Sequence, residues 1–137
     1  MNTINKSFKQ INLKYKNYNL VCYDSQIGDI TLFLLNGGPG LPCNYLREPH
    51  YEHLVNNGIR IVTYDQLGCG QSSKPKDISL WSIDRYVEEL EFVRNELNLG
   101  KLNLLGHSWG GWLAIEYSLK YQNNLKKLIL ENTCGDM

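Results

Sequence analysis

An α/β fold with a mostly parallel sheet of about six strands is predicted for this chain. Two observations carry the prediction. Continuous apolar runs recur at residues 30–35, 59–64, 102–105 and 125–130, the pattern of strands buried on both faces. Between them, apolar residues fall three and four apart, the period of amphipathic helices. Strands alternating with helices through right-handed crossovers produce a parallel sheet.

The elements follow in order. Residues 8–15 and 19–23 alternate apolar and polar side chains on either side of Lys16 and Asn17, which suits an antiparallel hairpin at one sheet edge. The run 30–35 ends in a glycine-rich segment, after which a short helix is expected over about 44–56, before the strand 59–64. Ile83, Tyr86, Leu90, Val93 and Leu97 share one helix face, with Glu88, Glu91, Arg94 and Glu96 turned away. Ser82 is placed to cap that helix and Gly100 to end it. Strand 102–105 runs directly into a helix over about 109–121, and 125–130 completes the pattern. With no repeat, low-complexity tract or linker-like break, residues 1–137 read as one domain.

The chain is 42% hydrophobic and 20% charged, an ordinary globular composition. Fourteen basic residues balance fourteen acidic ones, so the chain lacks the one-signed field of a nucleic-acid or membrane-surface binder. A small or locally recognised partner is expected, with no nucleic acid and no membrane. No apolar run near the start approaches a membrane span, and residues 1–10 are polar rather than the apolar core of a secretion signal, so a cytoplasmic location is expected. Cys22, Cys43, Cys69 and Cys134 form no C-x-x-C pair and have no histidine at metal-ligand spacing. Reduced cysteines in the core or in turns are expected, and no metal.

The strongest chemical signal is Gly106-His107-Ser108-Trp109-Gly110-Gly111, placed between a strand and a helix. Glycines flank the serine because the chain must turn sharply there, exposing the hydroxyl of a nucleophile, Ser108. A second element, Asn36-Gly37-Gly38-Pro39-Gly40, ends the run 30–35. Such a backbone can approach a substrate closely, at Gly37, and aim an N–H at a developing oxyanion. Gly38 N–H and Trp109 N–H are the two candidate donors. Gly68-Cys69-Gly70-Gln71-Ser72-Ser73 could be read as a dinucleotide loop, but it lacks the third glycine and runs into Lys74-Pro75 instead of a helix.

These segments resemble proline iminopeptidases, serine hydrolases of the α/β-hydrolase superfamily. Residues 36–40 look like their H-G-G-P-G, and Asp65-Gln66-Leu67-Gly68-Cys69-Gly70-Gln71-Ser72 looks like their D-Q-x-G-x-G-x-S. Residues 106–111 look like their G-x-S-W-G-G, and Ser79-Leu80-Trp81 is also similar. The resemblance implies the N-terminal half of an α/β-hydrolase fold, with the cap domain and last strands absent. It implies a serine aminopeptidase without cofactor that releases N-terminal proline from peptides through an acyl-enzyme on Ser108, with Trp109 helping to shape the proline pocket.

Two departures matter. Asn36 stands where the family has histidine, and it can still hydrogen-bond to the loop backbone. No histidine follows Ser108, whereas the triad of this fold runs serine, acid, histidine along the chain. The chain alone is therefore expected to be inactive. His50 and His53 read as ordinary residues of the first helix. His107 is expected to point away from Ser108 by strand alternation. Asp65 is expected to fix the turn at 68–70, and Asp24 and Asp136 have no catalytic place.

Other readings stay open. Related hydrolases take esters or lactones. A non-catalytic module could bind an acyl or peptide ligand, or pair with a complementing C-terminal polypeptide. An open sheet edge would also favour self-association.

Overall fold

A computed structural model describes residues 8–47 and 49–133; Cys134 and Asp136 lie outside them, as does the side chain of His50. Strands β1 (Lys9–Tyr15) and β2 (Tyr18–Asp24) form the expected hairpin, with Tyr15 opposite Tyr18. Lys16 and Asn17 both take positive φ, 48° and 67°. A two-residue turn of that hand matches the right-handed twist of the paired strands.

Strands β3 (Ile30–Leu35), β4 (Ile59–Asp65), β5 (Leu102–His107) and β6 (Leu125–Glu131) complete a six-stranded sheet of order β1-β2-β4-β3-β5-β6. β4, β3, β5 and β6 pair in parallel, while β2 joins β4 antiparallel, with Val21 opposite Asp65. Most of β3, β4 and β5 is buried because helices cover both faces. On one face, Phe33, Leu35, Val62, Tyr64 and Leu104 pack against Val87, Leu90 and Val93 of α2 (Ile83–Glu96) and Leu113 and Tyr117 of α3 (Trp109–Lys120). On the other, Leu32, Leu34, Ile61 and Leu105 pack against Cys43, Leu46 and Tyr51.

The short helix expected over 44–56 is divided. A 3-10 helix, Cys43–Arg47, is followed by α1, Pro49–Asn56. Proline lacks an N–H and disfavours helical geometry in the residue before it, so it starts a helix well and interrupts one badly. Ser82 caps α2 as expected, accepting from Arg85 N. Its end comes earlier than expected: Asn98 takes the left-handed conformation just after the helix, at φ 54°, and Gly100 takes it two residues further on, at 65°. Leu99 N–H reaches Arg94 C=O and Asn98 N–H reaches Asn95 C=O, both at 3.1 Å. Asparagine tolerates that conformation because its short amide can hydrogen-bond locally.

Cys22, Cys43 and Cys69 are buried free thiols, and burial pushes Cys22 up to about 12 and Cys69 to about 11. No described helix is long and apolar enough to cross a membrane.

Candidate active site

β5 ends at His107 and α3 begins at Trp109, so the chain reverses at Ser108, whose φ of 55° and ψ of −119° place it outside the regions that L-residues favour. Such strain persists only where the surroundings enforce it, and two glycines show how. A Cβ on Gly106 would overlap Gly110 O and Gly111 Cα, and one on Gly110 would meet Leu35 O and Asn36 O. The elbow therefore closes on itself and lies flush against the end of β3. Ser108 N–H donates to Glu131 C=O at 3.0 Å, which ties the elbow to β6 as well.

The glycine-rich loop lies against this elbow. A Cβ on Gly37 would sit 3.2 Å from Ser108 Cβ and 3.3 Å from His107 Nδ1. Asn36 is wholly buried; its Nδ2 donates to Gly37 O at 3.0 Å and Leu41 O at 2.6 Å, and its Oδ1 accepts from Gln66 Nε2 at 3.2 Å. Asn36 thus holds the loop backbone from inside. Because a trans peptide sets N–H opposite C=O, holding Gly37 C=O toward Asn36 turns the Gly38 N–H to the other side. Gly38 itself has φ 128°, open only to glycine. Trp109 N–H belongs to the first helical turn, whose amides have no partner within the helix and carry the positive end of the helix dipole.

Asp65 fixes the turn after β4, as the sequence suggested. Its carboxylate accepts from Cys43 N at 2.8 Å and Gln71 N at 2.9 Å and fills the space beside Gly70. In the same segment Gly68 N–H is spent on Ser73 O, Cys69 N–H on Gln66 O and Ser72 N–H on Cys69 O. These amides are turned inward, not toward a phosphate, which removes the dinucleotide reading.

A cavity of ≈ 410 Å³ opens beside the loop, walled by Pro39, Gly40, Trp81, Tyr86, Trp109 and Trp112. Trp109 meets Tyr86 edge-on at 5.2 Å, and the Trp81 ring covers Gly68. Trp109 contributes its backbone to the elbow and its indole to this wall; Ser108 is not part of the cavity lining. Burial pushes the Tyr86 phenol up to about 12, so it is neutral at ordinary pH.

Neither described histidine is free to serve Ser108 on both counts of position and partner. His53 is exposed on α1. His107 turns its Nδ1 to the Tyr45 hydroxyl at 2.8 Å, and that hydroxyl also accepts the Gly37 N–H at 2.6 Å. Sequence reasoning missed Tyr45 and Gln66: nothing in the spacing separates a tyrosine of a short helix from any half-buried aromatic. Among the described residues, no group of three His, Cys, Asp or Glu side chains could hold a metal ion.

A strained serine between a parallel strand and a helix, facing a glycine loop from a neighbouring strand, defines the class. A family model described as the alpha/beta hydrolase fold matches residues 30–137, and the chain belongs to that family. Within it, the chain resembles the N-terminal part of proline iminopeptidases. It is 48% identical over 105 residues to the proline iminopeptidase of Flavobacterium johnsoniae, covering 75% of this chain and 35% of that protein. To that of Lactiplantibacillus plantarum it is 44% identical over 120 residues, 87% of this chain and 42% of the relative. The solved proline iminopeptidase of Mycobacterium smegmatis superposes with a TM-score of 0.82 at 26% identity, over 91% of this chain and 44% of that one. The matched part of the chain thus spans 35–44% of the length of these relatives.

Proposed function

We propose that this chain is the nucleophile-bearing part of a serine hydrolase that releases N-terminal proline from peptides. The observation that carries the proposal is the Ser108 backbone, held at φ 55° between β5 and α3 against the 36–40 loop. Ser108 Oγ attacks the carbonyl of the N-terminal prolyl residue, and the bond to the next residue's nitrogen breaks as that amine takes up a proton. Water then hydrolyses the prolyl ester, releasing proline and regenerating the hydroxyl. Gly38 N–H and Trp109 N–H stabilise the oxyanion in both steps. The cavity walled by Trp81, Tyr86 and Trp109 is apolar and close to the loop, suited to a pyrrolidine ring.

A hydroxyl needs a base within about 2.6–3.2 Å to become a good nucleophile. Among the described side chains, His107 Nδ1 is committed to Tyr45 and His53 is exposed, which supports a 1–137 chain that by itself has negligible turnover. Its β6 edge bears Leu128, Ile129 and Leu130, exposed by 37%, 44% and 46%. That edge suits a complementing polypeptide that continues the sheet or, without one, self-association.

The test is a chimera joining this chain to the segment that follows the corresponding elbow in the Flavobacterium johnsoniae relative. It is expected to cleave a prolyl arylamide, with Ser108→Ala lowering turnover by roughly a factor of 10⁶, while 1–137 alone does not cleave it. Cleavage indifferent to Ser108→Ala would overturn the proposal, and Ser108-dependent turnover by 1–137 alone would overturn its account of the missing base.

A further inference from the structure

We infer that Tyr45 is a positioning residue that clamps the glycine loop to the elbow and makes the loop responsive to protonation of His107. The hydrolase reading above supplies the purpose of the loop; the clamp itself rests on hydrogen-bond geometry.

Tyr45 stands on the half-buried 3-10 helix Cys43–Arg47, apart from both the loop and β5. Its hydroxyl joins the two: Gly37 N–H donates to it at 2.6 Å, and His107 Nδ1 lies 2.8 Å away with the rings edge-on at 5.5 Å. Gly37 C=O is meanwhile held by Asn36 Nδ2. The peptides on both sides of Gly37 are thus pinned, one by Tyr45 and one by Asn36, where a Cβ on Gly37 would crowd Ser108 Cβ.

A phenol has one proton to give and oxygen lone pairs to accept with. With Gly37 N–H aimed at the oxygen, the phenolic proton is free for His107 Nδ1. That arrangement satisfies all three groups and requires neutral His107 to carry its proton on Nε2. Protonation of His107 puts a hydrogen on Nδ1, so Tyr45 must accept from both neighbours and its own proton loses its acceptor. The loop contact weakens as a result. Among the described residues, the ionisable groups tied to this contact are Tyr45 itself, Glu131, which is in register with His107 on β6 and bears on the Tyr45 hydroxyl as Cys43 does, and Tyr51 of α1, whose hydroxyl donates to Glu131 Oε1 at 3.1 Å.

The test is amide and imidazole ¹⁵N spectroscopy of the 137-residue chain as it stands. The wild type is expected to show His107 as the Nε2–H tautomer and a Gly37 amide protected from exchange, whose shift follows the titration of the His107 ring. Tyr45→Phe is expected to cut Gly37 protection roughly tenfold, the loss of one hydrogen bond, and to uncouple Gly37 from pH. His107→Gln keeps an acceptor without a titrating group, so it is expected to leave Gly37 protected and flat with pH. An Nδ1–H tautomer, or a Gly37 amide indifferent to Tyr45→Phe, overturns the clamp. These spectra need no turnover: if they come out as expected while the chimera is inactive, the hydrolase reading fails and the clamp stands.

Discussion

The backbone of Gly110 abuts that of Asn36 so closely that a Cβ built on Gly110 would lie 2.5 Å from the Asn36 carbonyl oxygen. The first turn of α3 and the start of the loop are therefore one packed unit.

This contact reverses the usual effect of a helical glycine. Glycine to alanine inside a helix ordinarily stabilises by up to about 1 kcal/mol. Here a methyl group must push apart two backbones, so Gly110→Ala is expected to destabilise by roughly 1–3 kcal/mol, read as a lower urea midpoint. A neutral or stabilising result would mean that the elbow and loop are not in contact.

At Ser108 the backbone cost belongs to the residue itself. Its φ of 55° and ψ of −119° are open to glycine and unfavourable to any side chain. Ser108→Gly is expected to be more stable than Ser108→Ala by about 1 kcal/mol, although both lack the hydroxyl. Equilibrium unfolding of the two variants side by side measures the strain directly.

A buried pair beneath the 65–73 turn sets a pH dependence of unusual sign. Glu89 is wholly buried, ion-pairs with Arg85 and accepts from Leu67 N at 3.2 Å. Burial raises its carboxyl above the ordinary range in spite of Arg85. A raised carboxyl binds its proton more tightly in the fold, so its contribution to stability is lost as pH rises from the unfolded value through the folded one. Arg85→Met leaves that carboxylate without its cation and is expected to cost roughly 3–5 kcal/mol at neutral pH. The deficit should shrink on acidification toward the pH where Glu89 is neutral, as unfolding curves across pH would show.

Asp24 behaves in the opposite way. Burial alone would raise its carboxyl, but Arg60 at 2.6 and 2.9 Å and the Gln26 N–H at 2.7 Å together hold it below the ordinary range. Its stabilisation is present above the unfolded carboxyl's titration and lost as pH falls through the folded value. Asp24→Asn is expected to cost about 1–2 kcal/mol at neutral pH and to flatten the acid limb of a stability profile.

At the other end of the sheet, β6 pairs with β5 and, among the described residues, has no strand beyond it. The chain is expected to self-associate with rising concentration in sedimentation velocity. Ile129→Lys, placing a charge on the edge, should shift it toward monomer.

The identity of the elements was legible in the chain because it rests on short-range preferences. Apolar runs marked β3 to β6, Lys16 and Asn17 marked a two-residue turn, and Ser82 marked the start of α2. The elbow was legible in part for the same reason, since Gly106 answers to a steric need within a few residues of Ser108, whereas the need at Gly110 comes from Leu35 and Asn36 at the end of β3. Boundaries failed where two local signals competed. Pro49 divided the expected helix, and Asn98 took the helix end that Gly100 seemed to offer. Only the tertiary structure decided what distant residues do to each other: that β2 lies beside β4, that Asn36 grips Gly37 C=O, and that Tyr45 bridges Gly37 to His107. Those relationships depend on which side chains the packed sheet buries together, and a hydrogen bond between residues 62 positions apart leaves no periodicity in the sequence from which it could be read.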